Sequence, residues 1–119
     1  MDKIDLPETI SGLMNIEENS YKFKWEELTK GIEIHRIYEE EDNGSSAALL
    51  KYSPGAEVPM HLHKGFEHIF ILSGTQTDGT NVYSKGMLMI SKPGTQHKIS
   101  SETGCIVLAI WQTPVQFMD

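Results

Sequence analysis

The sequence predicts an all-β domain in which short antiparallel strands close into a barrel or a sandwich. Three observations predict this class: apolar segments recur about every 8–12 residues, turn residues separate them, and residues 30–119 show no helical periodicity. A chain of 119 residues accommodates one domain with a single core. We therefore expect one domain at residues 21–119, preceded by a short N-terminal arm at residues 1–20.

The strands follow from alternation and from the turns between them. Residues 32–39 alternate between two faces, which is the period of a half-buried strand. Asp78-Gly79 predicts a hairpin, because Asp-Gly is a strong tight-turn signal between two strands. Further predicted strands, each bounded by turn residues, cover residues 46–52, 57–63, 67–73, 87–91, 96–101 and 105–112.

Composition and charge exclude several functional classes. The net charge is −7 and Arg36 is the only arginine, whereas binding to a nucleic-acid backbone requires clustered basic residues. The apolar run at 105–111 is far shorter than a membrane span, and the N-terminus lacks the apolar core of a signal peptide. We expect a cytoplasmic protein with neither nucleic acid nor a membrane as partner. The single cysteine, Cys105, excludes an internal disulfide framework and a Cys-rich zinc site, and we expect it to pack in the core.

Three histidines and one glutamate form a candidate metal site. His61 and His63 occupy alternate positions of a predicted strand, so both imidazoles point to one face. Glu67 follows across a tight turn at the start of the next strand, and His97 comes from a strand distant in sequence. An isolated His-x-His pair is common by chance. Three imidazoles and one carboxylate, however, suit a divalent transition metal such as Fe, Zn, Ni, Mn or Co.

A frame of glycines surrounds these four residues and makes their spacing specific. Gly55 and Gly74 flank the first three candidate ligands, and Gly86 and Gly94 precede His97. The first frame matches the first cupin motif at every position, and the second matches the core of the second motif. The segment PGAEVPMHLHKGFEHIFILSG, followed by PGTQH, resembles the ChrR-like branch of the cupins.

The resemblance extends over about residues 25–115. It implies a single-domain cupin β-barrel, which is an RmlC-like jelly roll or double-stranded β-helix. It also implies one divalent transition metal held by His61, His63, Glu67 and His97, and a homodimer to which the N-terminal arm contributes.

Some positions depart from the cupin motifs without removing a ligand. Lys92 stands where the second motif usually has proline, and Ser101 stands at its usual asparagine. His68 occupies a position where the branch often doubles the motif glutamate. By strand alternation, His68 points away from the metal, towards an expected subunit contact.

The resemblance implies two main kinds of function and a weaker third. ChrR-like cupins include dioxygenases that cleave acetylacetone or hydroxyacetophenones. By that resemblance, we expect an Fe(II)-type dioxygenase acting on a small diketone-like or aryl ketone substrate, with Glu67 as a ligand or as the catalytic base. In the alternative, the metal-containing barrel is a non-catalytic small-molecule or redox sensor. Sugar isomerisation or epimerisation is a weaker third possibility.

Composition favours a neutral or chelating ligand, because few cationic side chains are available to bind a carboxylate. We expect Arg36 to form an ion pair with a nearby glutamate on the strand face. We expect the ligand to lie inside the barrel, and we expect the barrel interior to be lined by Ile69, Ile71, Met89 and Ile99. ChrR also resembles a two-domain anti-sigma factor whose N-terminal half requires a His/Cys zinc site. This sequence has a single cysteine, so we do not expect it to inhibit a sigma factor.

Overall fold

Ten antiparallel strands curl around an apolar interior, which confirms the predicted all-β barrel. The structure is a computed structural model that describes residues 6–118. The strands are β1 Glu26–Thr29, β2 Ile32–Glu39, β3 Ser46–Tyr52, β4 Glu57–Leu62, β5 Glu67–Thr77, β6 Val82–Ser84, β7 Leu88–Ser91, β8 Gln96–Ser100, β9 Cys105–Trp111 and β10 Gln116–Phe117.

Strand β5 belongs to two sheets, because its two ends pair with different neighbours. Its first half lies between β9 and β7, in a sheet that continues from β9 through β3 and β2 to β1. Its last residues pair with β6, and Thr77 meets Ser100 of β8, whose sheet continues to β4 and β10. The register against β9 shifts between Ile71 and Ser73. This bulge bends β5 from one sheet into the other.

Most strand predictions are confirmed, and the differences have local causes. The hairpin at Asp78-Gly79 joins β5 and β6, and β5 extends beyond the predicted end at residue 73 to Thr77. From residue 30 to residue 118 the structure contains no helix, as predicted. Strands β1 and β10 were not predicted. Every residue in them is exposed, so neither carries the apolar alternation that marks a half-buried strand.

Both faces of the central strands are apolar, and each face belongs to a different core. Inside the barrel, Leu50, Ile71 and Val107 are buried against one another and their neighbours. On the outside, Leu49 and Leu72 form part of a second cluster. Full burial of such a side chain contributes about 1.5–3 kcal/mol to stability, so both layers hold the sheet in place.

The outer core is covered by the chain's own N-terminal segment. This segment consists of a 3-10 turn at Leu13–Asn15, an α-helical turn at Ile16–Asn19 and a 3-10 turn at Ser20–Lys22. Ile16 is fully buried in the outer cluster. The segment crosses the predicted arm boundary at residue 20, and the expected contact of the arm with a partner stays a prediction. No helix of the described residues is long and apolar enough to cross a membrane.

Gly74, a member of the glycine frame, lies where the backbone of β5 passes close to the turn before β9. Its φ of +75° lies in the left-handed region, and a Cβ atom there would overlap the carbonyl oxygen of Gly104. Only glycine fits this crossing of β5 and the turn before β9. This glycine therefore has a steric reason to occupy its motif position.

Candidate metal centre

The structure brings the four predicted ligands together at one end of the barrel. His61 lies near the end of β4, His63 follows that strand, Glu67 begins β5, and His97 lies on β8. His61 and His97 are directly opposite each other in the β4–β8 register. One ligand atom from each of the four residues lies within 4.8 Å of the others. The four residues are thus placed to hold a metal ion.

Backbone carbonyls orient two of the imidazoles. Nδ1–H of His61 donates to the carbonyl oxygen of Pro59 at 2.9 Å, and Nδ1–H of His63 donates to that of Thr95 at 3.0 Å. A carbonyl can only accept, so both Nδ1 atoms carry hydrogen and both Nε2 atoms are left for the cluster. Such outer contacts are the usual means by which a protein orients metal-binding histidines.

Glu67 lies at the centre of the cluster. Its Oε1 is 3.1 Å from Nε2 of His63 and 3.5 Å from Nε2 of His97. Burial acts to raise the pKa of Glu67, but the imidazoles of His63 and His97 outweigh it and lower the pKa to about 2. The hydrogen bond with Glu67 raises the pKa of His63, whereas desolvation lowers the pKa of His61. The carboxylate is therefore ionised at neutral pH.

Trp111 anchors the other oxygen of this carboxylate. Its indole Nε1–H donates to Oε2 of Glu67 at 2.7 Å, and the two residues are directly opposite in the β5–β9 register. Sequence analysis did not assign Trp111 to the site. The only signal was an aromatic residue on an apolar strand, because its alignment with Glu67 depends on the pairing of two distant strands.

The cluster of three histidines and Glu67 faces an inner cavity of about 100 Å³. A wider outer cavity of about 610 Å³ lies between β1, β2, β3 and the segment 114–117. Five residues line both cavities and form the neck between them, which we call the neck residues: Leu28, Val58, Trp111, Val115 and Phe117. The cluster thus lies at the bottom of a largely apolar funnel.

All four residues predicted to line the interior of the barrel belong to the inner core. Ile69 and Ile99 line the inner cavity. Ile71 and Met89 are buried in the same core without lining this cavity. Alternation indicates which face a residue takes, but not whether empty space lies beside it.

Gln76 is a second site residue that sequence analysis missed. It lines the inner cavity, its side chain is 2% exposed, and neither amide atom has a hydrogen-bond partner among residues 6–118. Plain alternation from Glu67 would place Gln76 on the outer face of β5. The bulge between Ile71 and Ser73 shifts the phase by one residue and turns Gln76 inward.

Residues outside the cluster behave largely as expected. Arg36 forms an exposed ion pair with Glu26 at 3.5 Å, as predicted, although it also lines the outer cavity. His68 lines an outer-face depression away from the cluster. Cys105 packs in the core, where burial raises the pKa of its thiol to about 11.

Comparisons with known proteins agree with this architecture. Residues 16–114 match the family described as the ChrR cupin-like domain. The comparison with curated proteins gives no match.

Solved structures of cupin type are similar over most of this chain. The anti-sigma protein ChrR, in its complex with SigE of Rhodobacter sphaeroides, is 28% identical over 74% of this chain and 48% of that chain, with a TM-score of 0.65. An acetylacetone dioxygenase from Acinetobacter johnsonii is 17% identical over 100% of this chain and 85% of that chain, with a TM-score of 0.74.

A cupin-like protein of unknown function from Ralstonia eutropha is 20% identical over 75% of this chain, with a TM-score of 0.68. The present chain spans 60% of the length of that protein and about half of the length of ChrR. The two likenesses under 25% identity show the shared fold.

Proposed function

This chain belongs to the family of ChrR cupin-like domains, and from that premise we propose that it is a metal-dependent dioxygenase for a small, uncharged diketone-like or aryl ketone substrate. The observation that carries the proposal is the convergence of four ligand atoms within 4.8 Å at the bottom of an apolar funnel. The donor set admits Fe, Zn, Ni, Mn or Co, and the proposed activity requires a redox-active ion such as Fe(II).

The donor atoms themselves fit a bound cation. Nε2 of His97 is buried and has no hydrogen-bond partner among the described residues, although Oε1 of Glu67 lies 3.5 Å away. The Nδ1 contacts of His61 and His63 direct their Nε2 lone pairs towards the same carboxylate. Buried lone pairs facing an ionised carboxylate repel one another unless a proton or a cation lies between them. We therefore propose that His61, His63, Glu67 and His97 hold the metal, with Glu67 either remaining a ligand or leaving the metal to act as a base.

The protein surroundings favour an uncharged substrate that binds through its oxygens. Glu67 is the only carboxylate and no Lys or Arg is present among the described residues that line the inner cavity. A redox metal in this site would polarise the substrate's carbonyl oxygens and pass electrons to O2. The apolar neck residues exclude bulk water from the bound substrate.

The reaction requires only the substrate and O2. A carbon–carbon bond of the ketone breaks, and one oxygen atom of O2 ends in each of the two fragments. Glu67 is also proposed as the catalytic base, which would take the acidic proton of a carbon next to the carbonyl group. The hydrogen bond from Trp111 to Oε2 leaves Oε1 as the atom available for a metal or a proton.

A non-catalytic sensor is the second candidate. The observation that favours it is the similarity to ChrR, at 28% identity over 74% of this chain, since that protein is an anti-sigma factor. In this case the barrel would bind the same ligand class without converting it, and a further protein would respond to the bound state.

Oxygen consumption distinguishes the two candidates. Protein loaded anaerobically with Fe(II) should consume O2 in an electrode cell when pentane-2,4-dione is added, and Zn-loaded protein should not, because Zn has no accessible redox state. Glu67→Gln should keep iron and lose turnover if Glu67 is the base, whereas loss of iron would assign Glu67 as a ligand. If the Fe(II) form binds the diketone tightly but does not consume O2, the result would contradict the dioxygenase and support the non-catalytic sensor.

A further inference from the structure

Gln76 places a polar group inside the funnel that the metal ligands do not use. Its side chain is 2% exposed, and neither its amide nitrogen nor its amide oxygen has a hydrogen-bond partner among residues 6–118. A buried amide without partners is unfavourable, so native proteins nearly always pair such groups with protein atoms, water or ligand. The amide lines the inner cavity, which also contacts His61, Glu67 and His97.

The surroundings of Gln76 select an uncharged partner. Tyr52 lines the same cavity, and burial raises the pKa of its phenol, which stays neutral. The Gln76 amide is close enough to this phenol to offset part of the rise, although the two groups do not meet hydrogen-bond geometry. Glu67 already supplies one negative charge to this small space. A carboxylate on the ligand would meet Glu67 and no cationic side chain among the described lining residues. A hydroxyl or a ketone matches an amide, which both donates and accepts.

The sizes of the cavities define the rest of the ligand. The inner cavity of about 100 Å³ has room for about three water-sized groups at ~30 Å³ each, and the outer cavity offers about 610 Å³. Only a short polar head group can therefore fit between the proposed metal ligands and Gln76. An acyl or aryl remainder fits the outer cavity beyond the neck residues.

We propose that Gln76 is a specificity residue that hydrogen-bonds an uncharged hydroxyl or carbonyl of the ligand, distinct from the oxygens that face the metal ligands. The head group of the ligand then carries oxygen atoms at two positions: one position binds at the metal site, and the other binds Gln76. This inference rests on the proposed function, because it assumes that the ligand's first oxygens bind at the cluster.

A matched pair of probes tests the assignment. Pentane-2,4-dione and 1-hydroxypentane-2,4-dione differ by one hydroxyl, and calorimetry on the Zn-loaded protein measures binding without turnover. The hydroxylated probe should bind about fivefold to tenfold more tightly, since one hydrogen bond contributes about 1 kcal/mol and tenfold corresponds to 1.4 kcal/mol. In Gln76→Met, of similar length and without the amide, this ratio should fall to about one with the zinc content unchanged.

Every other outcome contradicts either the assignment of Gln76 or the proposed function itself. If both probes bind equally to the wild-type protein, water fills the position beside Gln76 and the inference fails while the proposed function stands. If the ratio persists in Gln76→Met, another residue recognises the hydroxyl. If Gln76→Met melts several degrees lower, Gln76 has a structural partner and the assignment fails. If neither probe binds to metal-loaded protein, the inference and the proposed function fail together.

Discussion

The indole nitrogen of Trp111 donates a 2.7 Å hydrogen bond to Oε2 of Glu67, across the pairing of β9 with β5. This contact holds the carboxylate so that Oε1 faces His63 and His97. Trp111 is also one of the neck residues, so one side chain both orients Glu67 and narrows the path to it.

Trp111→Phe should weaken metal binding without abolishing it. The substitution removes the donor and keeps an aromatic ring, and loss of such an outer-shell partner typically costs about 10–100-fold in metal affinity. Competition with a chromophoric chelator measures the change. The matched control is Trp25→Phe, because the Trp25 indole donates to the carbonyl of Ser20 at 2.8 Å outside the site. Equal effects of the two variants on metal affinity would contradict a positioning role for Trp111.

Removing the metal should lower the melting temperature of the wild-type protein. A ligand present at 1,000 times its dissociation constant stabilises the native state by about 4 kcal/mol, which corresponds to a shift on the order of ten degrees for a domain of this size. Differential scanning fluorimetry with and without EDTA measures the shift.

Two histidine variants serve as controls for this experiment. His63→Ala removes a proposed ligand and should make the melting temperature insensitive to EDTA. His68→Ala removes a histidine of the outer face and should keep the wild-type response. Identical melting of the metal-containing and metal-free protein, after metal loss is verified by elemental analysis, would contradict the metal assignment.

The turn at Asp78 should give the stability an acid-dependent component. Oδ1 accepts from the backbone N–H groups of Asn81 and Thr80, and Oδ2 accepts from the hydroxyl of Tyr83 at 2.6 Å. The N–H of Asn81 first, and then the Tyr83 hydroxyl, lower the pKa of Asp78 to about 2. Since the pKa of an unfolded Asp is about 3.9, this stabilisation is complete above that pH and is lost as the pH falls through about 2.

Asp78→Asn keeps an acceptor for the turn but carries no charge. It should melt below the wild type at pH 6, and the difference should shrink as the pH approaches 2. Tyr83→Phe removes one of the donors and should show a smaller pH dependence than the wild type. Thermal melts from pH 6 to pH 2 test both variants, and a constant difference between Asp78→Asn and wild type over this range would contradict the assignment.

The outer face of β7 leads us to expect a symmetric homodimer. Leu88 and Ile90 are each 54% exposed, and Ile110 of the same sheet is 37% exposed. Among the described strands, β7 pairs only with β5, so its other edge is open. An exposed apolar patch beside an open strand edge is typical of a subunit contact.

Sedimentation equilibrium should report about twice the 13.4 kDa chain mass. Ile90→Lys should shift the protein to monomers, whereas Val82→Lys, at an exposed position of β6, should not. A wild-type monomer at micromolar concentration would show that this face does not join two copies.

Sequence alone determined the four residues of the candidate metal site, because the relation between most of them is local. His61 and His63 share a face by strand alternation, and Glu67 follows across one turn. The spacing of the glycines matches two cupin motifs, and this match linked these three residues to His97. Gly74 shows why such a frame is informative, since a side chain there would overlap the carbonyl of Gly104.

The tertiary structure alone decided the roles of Trp111 and Gln76. Trp111 reaches Glu67 only in the observed register of β9 against β5, and Gln76 faces the cavity only because a bulge shifts β5 by one residue. Strand alternation has a period of two, so a one-residue shift exchanges the faces of every residue that follows it. Whether such a shift occurs is set by how distant strands pack together, and the local pattern of side chains does not contain that information.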